Sequence, residues 1–307
     1  MIDLLMGCES ESLGIAACLA DPHNASMSTR RNASLSARQR VVLLTGASSG
    51  IGKACADLLS EAGYVVYGAS RNPDRICLPP DGWTPMGVDV TDDRSVEECV
   101  EAILEAEHRI DVLINCAGIG LAGAIEETSI SKATAILQTD FLGMLRTCRA
   151  VLPTMRNQGG GQILNVSSLA GRIGLPFQGL YSAAKFAVEG LSEALRIEVR
   201  PFGIHVVLIE PGDIRTPFTD NRTFVDVADS SPYAERMKRA LRKAEADERA
   251  GPAPSRVARQ IGRILAVKSP RARYTSGGLF QRAASHLKAL LPDRWFESFL
   301  SAYYRVR

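Results

Sequence analysis

The sequence predicts an α/β fold: a doubly wound parallel sheet, single-domain, with a helical substrate lid toward its C-terminus. Three observations carry this. From Val41 onward, short β-branched apolar runs alternate with amphipathic helical runs, the mark of strands buried on both faces and joined by helices. The first strand leads directly into a glycine-rich turn that opens the first helix. The 307 residues are 46% hydrophobic, enough for one large core.

The first strand is Val41–Leu44, followed by a helix over 50–62. Tyr64–Ala69 form the second strand, and a weak third lies at 84–88, before a helix over 92–107. Asp111–Ile114 are the fourth strand, one long helix covers 130–156, and Gln162–Val166 are the fifth strand. A helix over 181–199 and a sixth strand, Ile204–Ile209, complete the alternation. Right-handed crossovers should join the strands. Beyond Pro211 the chain turns polar and loosely helical over 213–253, with one run at 232–247. A helix over 254–267, a short strand at Arg273–Thr275 and two short amphipathic helices around Pro292 follow, the last within 280–303. The expected organisation is a disordered or weakly ordered extension at 1–38, a dinucleotide-binding catalytic domain at 39–280 with 213–253 as its lid, and a helical tail at 281–307.

Composition excludes several classes. A net charge of +2 with 23% charged residues gives no basis for binding nucleic acid. The basic residues Arg256, Arg259, Arg263, Lys268, Arg271 and Arg273 lack interleaved aromatics and read as a solvated face. No apolar run approaches the roughly 18 residues needed to span a bilayer. The tail aromatics Trp295, Phe296, Phe299, Tyr303 and Tyr304 read as packing against the domain, so membrane contact is not expected. The N-terminal segment starts with Asp3, Glu9 and Glu11 and has only a short apolar part, Leu13–Ala20, which is not a signal peptide. Without a basic start, Ile15-Ala16-Ala17-Cys18 is no lipoprotein box either. Met27 offers an alternative translation start, decided by the mass of the natural N-terminus. Seven scattered cysteines without a CxxC pair point to a reducing, cytoplasmic setting, and four separated histidines give no metal site.

Two motifs carry chemistry. Thr45-Gly46-Ala47-Ser48-Ser49-Gly50-Ile51-Gly52 places three glycines between a strand and a helix. Glycine permits left-handed backbone and close approach of a phosphate, and the free N–H groups and dipole of the helix start attract a pyrophosphate. A tight turn without ligand is the plain alternative, and the strand–turn–helix context argues against it. At the end of the second strand the chain reads Gly68-Ala69-Ser70-Arg71, with no acid for a ribose 2′-hydroxyl. A guanidinium suits a 2′-phosphate. The expected cofactor is therefore NADP(H), contacted by Arg71 with Ser70 beside it; otherwise Arg71 is a solvated charge.

The second motif is Tyr181-Ser182-Ala183-Ala184-Lys185. Residues i and i+4 share a helix face, so phenol and ammonium project together. The ammonium, with an oxidised nicotinamide, favours phenolate and brings proton exchange nearer neutral pH. Ser168 ends the fifth strand and can hold a substrate oxygen beside Tyr181. Such a tyrosine–lysine spacing is common by chance; its conjunction with the phosphate cradle is not.

Taken together the chain resembles the short-chain dehydrogenase/reductase family. The resemblance rests on residues 45–52, Asp89-Val90, Asn115-Cys116-Ala117-Gly118, the Ser168/Tyr181/Lys185 set and Pro211-Gly212-Asp213-Ile214-Arg215-Thr216, and covers about 40–216. It implies a Rossmann fold and hydride transfer between a nicotinamide and an alcohol/ketone pair. It further implies that Gly46, Ser48, Ser49, Gly50, Ile51 and Gly52 hold phosphates and that Asp89 and Val90 hold the adenine. Asn115, Ala117 and Gly118 would line its ribose. Tyr181 and Lys185 would also contact the cofactor, Lys185 binding the nicotinamide ribose while tuning Tyr181, and Pro211, Gly212, Ile214 and Thr216 would hold the nicotinamide. Ser168 sits at the family's spacing, with Ser167 as fallback. Two departures stand out. Cys116 replaces an asparagine, and Asp140 takes the place of the family's fourth catalytic residue, an asparagine whose main-chain carbonyl helps hold a water near the lysine. A main-chain role survives that change, and a carboxylate there would strengthen the charge on Lys185.

The segment 171–181 and the helix after it look most like the hydroxysteroid and retinol dehydrogenase branch. Leu175, Phe177 and Leu180 either present apolar surface at the mouth of the site or pack locally. The implied substrate is a small lipophilic carbonyl or alcohol, steroid-, retinoid- or aliphatic-like. NADPH is kept reduced in cells, which favours carbonyl reduction. The resemblance also implies a homodimer or homotetramer through the helices at 130–156 and after Tyr181. A non-catalytic NADP(H)-binding sensor or scaffold is the alternative, separated from the enzyme by turnover.

Overall fold

A computed structural model describes residues 39–306 except 77–81, 227, 229, 279–280, 282, 284–286 and 289. The extension expected at 1–38 lies outside the described residues. Period-two burial builds the centre. In β1 (Val41–Thr45), Val41 and Leu43 join one apolar cluster while Val42 and Leu44 join the other, because successive strand side chains point to opposite faces. β1 pairs in parallel with β2 (Val65–Ser70), and β2 with β3 (Thr84–Gly87). On its other side β1 pairs with β4 (Val112–Asn115), which pairs with β6 (Gly161–Val166). β7 (Ile204–Pro211) and β9 (Arg273–Ser276) extend that side. The sheet order is thus β3-β2-β1-β4-β6-β7-β9, all parallel. The chain reverses its winding direction between β1 and β4, and the crevice at such a switch point is where ligands bind in these sheets.

Helices cover both faces. α1 (Gly50–Glu61) and α7 (Ser255–Leu265) bury Leu59, Ile261 and Leu265 against one face. α2 (Asp93–Glu107), α4 (Gly143–Asn157) and α5 (Gly179–Val199) bury Ile103, Val151 and Val188 against the other. Each such aliphatic side chain contributes about 1.5–3 kcal/mol by leaving water.

The long helix expected over 130–156 is interrupted. α3 (Ile130–Leu137) passes through one π turn, Gln138–Leu142, before α4. The wider turn carries Asp140 to the interior, where it is 2% exposed, and Gly143 lets the helix approach Val90, whose side chain a Cβ there would meet at 2.8 Å. α5 begins at Gly179, two residues before Tyr181, so the tyrosine sits in the first turn. A two-stranded ribbon of β5 (Leu121–Ala122) and β8 (Thr223–Phe224) is a further addition to the expected order. The polar run at 232–247 is part of α6 (Ala234–Ala250), and the tail contributes α8 (Asp293–Tyr303) after Pro292; the tail segment before it is only partly described.

A buried polar network ties β4, β6 and α5 together. Asn115 Nδ2 donates to Asn165 Oδ1 at 2.9 Å, Asn165 Nδ2 donates to Ser192 Oγ at 2.9 Å, and Thr147 Oγ1 donates to Asn115 Oδ1 at 2.6 Å. Asn165→Ala strands partners on both sides, so a loss of about 1–3 kcal/mol is expected. Urea unfolding of the variant against the native protein checks it.

Candidate active site

A cleft of about 760 Å³ opens at the carboxyl ends of β1, β4, β6 and β7. Its floor is the turn from β1 into α1. Gly46 has φ +73°, and a Cβ there would stand 2.8 Å from the backbone of Cys116 and Ala117. A Cβ on Gly52 would stand 2.1 Å from the carbonyl oxygen of Gly46. Thr45 Oγ1 accepts from the N–H groups of Cys116 and Ala117, at 3.1 and 3.2 Å, and so fixes the opposite wall. The start of α1 has neither a capping side chain nor an acid in its first turn, whereas α2 is capped by Asp92. Open N–H groups over a glycine floor fit a pyrophosphate. Gly46, Ser48, Ser49, Gly50, Ile51 and Gly52 all border this part of the cleft.

Beyond the floor, Arg71 is exposed at the rim, next to Asn72. Ser70 is buried and does not border the cleft, because the strand's alternation turns it away from Arg71. Asp89 and Val90 line the neighbouring wall. The Thr91 N–H holds the Asp89 carboxyl below its ordinary range, and Arg71 and Arg146 add to this. Ala117 and Gly118 border the cleft, with Cys116 between them and the glycine floor. The Asn115 side chain points elsewhere, into the buried network described above.

Deeper in, Ser168, Tyr181 and Lys185 converge with Pro211, Gly212, Ile214 and Thr216. Lys185 Nζ lies 5.7 Å from the centre of the Tyr181 ring, and the ring packs on Phe218 with centroids 5.5 Å apart. Ser168 Oγ accepts from the Ala170 N–H at 3.1 Å and borders the cleft together with the tyrosine. Asp140 does not border the cleft, yet its carboxylate forms an ion pair with Lys185, Oδ2 to Nζ 3.1 Å. Burial pushes the Tyr181 phenol above its ordinary range. Lys185 and Ser168 pull it down, and Asp140 and Glu248 push it up. This modifies the expectation from the sequence: desolvation outweighs the ammonium. For Lys185, burial disfavours the charge, but Asp140, Tyr181 and Cys116 together hold the ammonium above the ordinary lysine range. With its proton held in this way, the Tyr181 hydroxyl can donate to an oxygen placed between it and Ser168.

The outer wall comes from regions whose role the motifs do not reveal. Phe218, Thr219, Glu248, Tyr303 and Tyr304 border the cleft, as does Gln281. Glu248 accepts from Thr219 Oγ1 at 2.6 Å and pairs with Arg222. Burial, then Asp247 and Glu248, push Asp213 up to about 7. Of the three apolar loop residues, Leu175 borders the cleft, while Phe177 and Leu180 pack in local clusters. In the tail, Phe296 is buried and Tyr303 and Tyr304 face the cleft, but Trp295 is 70% exposed. Only the aromatic composition of the tail hinted at this. No helix among the described residues is long and apolar enough to cross a membrane, and no metal-ligating cluster occurs among them.

Residues 40–224 match the family model of the short chain dehydrogenases. The chain is similar to a 3-ketodihydrosphingosine reductase of Bacteroides thetaiotaomicron, 43% identical over 87% of this chain and 99% of that one. It is also similar to a solved short-chain dehydrogenase from Streptomyces avermitilis, with 32% identity and a TM-score of 0.73 over 88% of this chain and 98% of the other. ElxO, solved with NADP bound, matches at 32% identity and a TM-score of 0.55, over 58% of this chain and 75% of its own.

Proposed function

This chain belongs to the short-chain dehydrogenase family, and from that premise we propose that it reduces a long-chain lipophilic ketone to a secondary alcohol with NADPH. The observation that carries the reading is the convergence of Ser168, Tyr181 and Lys185 in a cleft whose other end is an open, glycine-floored helix start. Of the steroid-, retinoid- and aliphatic-like classes, the aliphatic one is favoured by the full-length likeness to a 3-ketodihydrosphingosine reductase.

In this reading, Gly46, Ser48, Ser49, Gly50, Ile51 and Gly52 hold the phosphates, and Asp89, Val90, Ala117 and Gly118 hold the adenosine. Arg71 reads the 2′-phosphate; Ser70 and Asn115, which do not border the cleft, make no side-chain contact with the cofactor. Pro211, Gly212, Ile214 and Thr216 orient the nicotinamide, which when bound in reduced form supplies the hydride. Ser168 Oγ and the Tyr181 hydroxyl hold the carbonyl oxygen. Tyr181 gives that oxygen its proton, and Lys185 stabilises the phenolate left behind. The segment 213–253 acts as the lid over the substrate, with Tyr303 and Tyr304 at the cleft beside it. The free thiols of Cys55, Cys99, Cys116 and Cys148 suit a cytoplasmic setting. Ile130 and Ile197, 82% and 76% exposed on α3 and α5, suit a homodimer through those helices.

NADPH oxidation tested with long-chain 3-keto amines, steroids and retinoids decides the substrate class. Binding of NADPH without turnover across the whole panel would favour the sensor reading instead. Arg71→Glu tests the cofactor. Losing charge-assisted hydrogen bonds worth about 1.5–3 kcal/mol should raise KM for NADPH roughly 10- to 100-fold. KM for NADH should not rise. Equal KM for NADPH in variant and native protein defeats the assignment.

A further inference from the structure

We propose that Asp140 is a positioning residue whose carboxylate keeps Lys185 an ammonium and Tyr181 a phenol, setting the site for carbonyl reduction over alcohol oxidation near neutral pH. This rests on the oxidoreductase reading of the same cleft. The geometry is specific. The π turn Gln138–Leu142 brings Asp140 inward, where its side chain is fully buried. One carboxylate oxygen stands 3.1 Å from Lys185 Nζ, and the other accepts the Ile119 N–H at 2.8 Å. Gly118 leaves the room: a Cβ there would lie 3.0 Å from Asp140 Oδ2. The same ammonium donates to the Val166 carbonyl at 3.4 Å. Lys185 therefore faces two acceptors besides the tyrosine.

The charge balance follows. Tyr181 is faced by Lys185 from α5, by Asp140 from the π turn and by Glu248 from α6. Lys185 is faced by Asp140, Tyr181 and Cys116. Asp140 is paired with Lys185 and Glu248 with Arg222, so the fixed charges around the phenol already balance. Burial pushes the Asp140 carboxyl up, and the Lys185 ammonium and the Ile119 N–H pull it back down; with that carboxyl ionised and the phenol protonated, Asp140, Lys185 and Tyr181 sum to zero. Removing the phenol proton leaves one uncompensated negative charge in a desolvated site, close to the Asp140 carboxylate. Like charge and burial both disfavour that step. Reduction needs the phenol as acid, and oxidation needs the phenolate as base. The carboxylate thus holds the protonation state that reduction uses. An asparagine at 140 has the same shape and can still accept from Ile119, but carries no charge.

The test is Asp140→Asn, read in two ways. In the protein without cofactor, the phenolate absorbance of Tyr181 is isolated by subtracting the titration of Tyr181→Phe. It should appear about one pH unit or more lower in Asp140→Asn than in the native protein, a tenfold change in proton affinity. In kinetics, the ratio of kcat for alcohol oxidation to kcat for ketone reduction at neutral pH should rise about tenfold, the alkaline limb of reduction moving down with it. A folded Asp140→Asn protein with an unmoved Tyr181 titration overturns the proposal. Should the variant not fold, the native titration decides: it is expected above that of an ordinary tyrosine, and a value below overturns the proposal. Absence of turnover with every carbonyl tested would count against the oxidoreductase reading alone, because the absorbance titration needs no substrate.

Discussion

Tyr181→Phe is expected to lower kcat/KM for ketone reduction by roughly 10²- to 10⁴-fold, the usual contribution of a positioned proton donor. The substitution removes one oxygen and little else. The ring keeps its place against Phe218, 5.5 Å away between centroids, and Lys185 keeps its ion pair with Asp140. Cofactor affinity should therefore change less than about threefold, since no phosphate contact is touched and a 1.4 kcal/mol change is needed for tenfold. Fluorescence titration with NADPH alongside steady-state kinetics separates the two. A loss confined to kcat and kcat/KM assigns the hydroxyl to proton transfer. Native rates in the variant would remove Tyr181 from the chemistry.

The second large effect is expected at Gly52. Gly52→Ala places a methyl 2.1 Å from the carbonyl oxygen of Gly46 and 2.7 Å from its carbon. Both are backbone atoms of the turn, so no flexible side chain can yield. α1 cannot slide away easily, because Cys55, Ala56 and Leu59 on its inner face are completely buried. Forcing such a contact costs about 1–3 kcal/mol, or a fall in Tm of about 2–12 °C at 2–4 °C per kcal/mol. Because the displaced turn is the proposed phosphate floor, NADPH affinity should drop at least tenfold as well. Gly190 gives the control. It lies exposed within α5, and a Cβ there meets nothing within 4 Å. Gly190→Ala should stabilise by up to about 1 kcal/mol through helix propensity. Thermal melts of the two variants should move in opposite directions.

The contrast shows what is readable in one dimension. The cradle at 45–52 and the pair Tyr181/Lys185 are legible because their geometry is local: a strand–turn–helix passage and one helical turn. The sheet was legible because fully buried strands announce themselves as apolar β-branched runs. The π turn was not. Over 130–156 the apolar pattern fits an unbroken helix, and an extra residue in one turn shifts the pattern by less than its own irregularity. Asn115 was read by its neighbours in the motif, but strand alternation sends its side chain into the network with Asn165 and Thr147. Ser70 differs from Arg71 for the same reason. The outer wall is the least legible part. Glu248, Gln281 and Tyr303 reach the cleft from segments far apart in sequence, where charged helix faces and aromatic tails ordinarily mean solvent exposure or packing.

The placement of α8 has a practical and an evolutionary side. Tyr303 and Tyr304 stand at the cleft, at the end of α8 and just after it. Removing α8 would open the cleft on that side. Drift in this stretch can exchange one guest molecule for another without disturbing the β-sheet or the hydride chemistry, so kindred proteins should diverge there first.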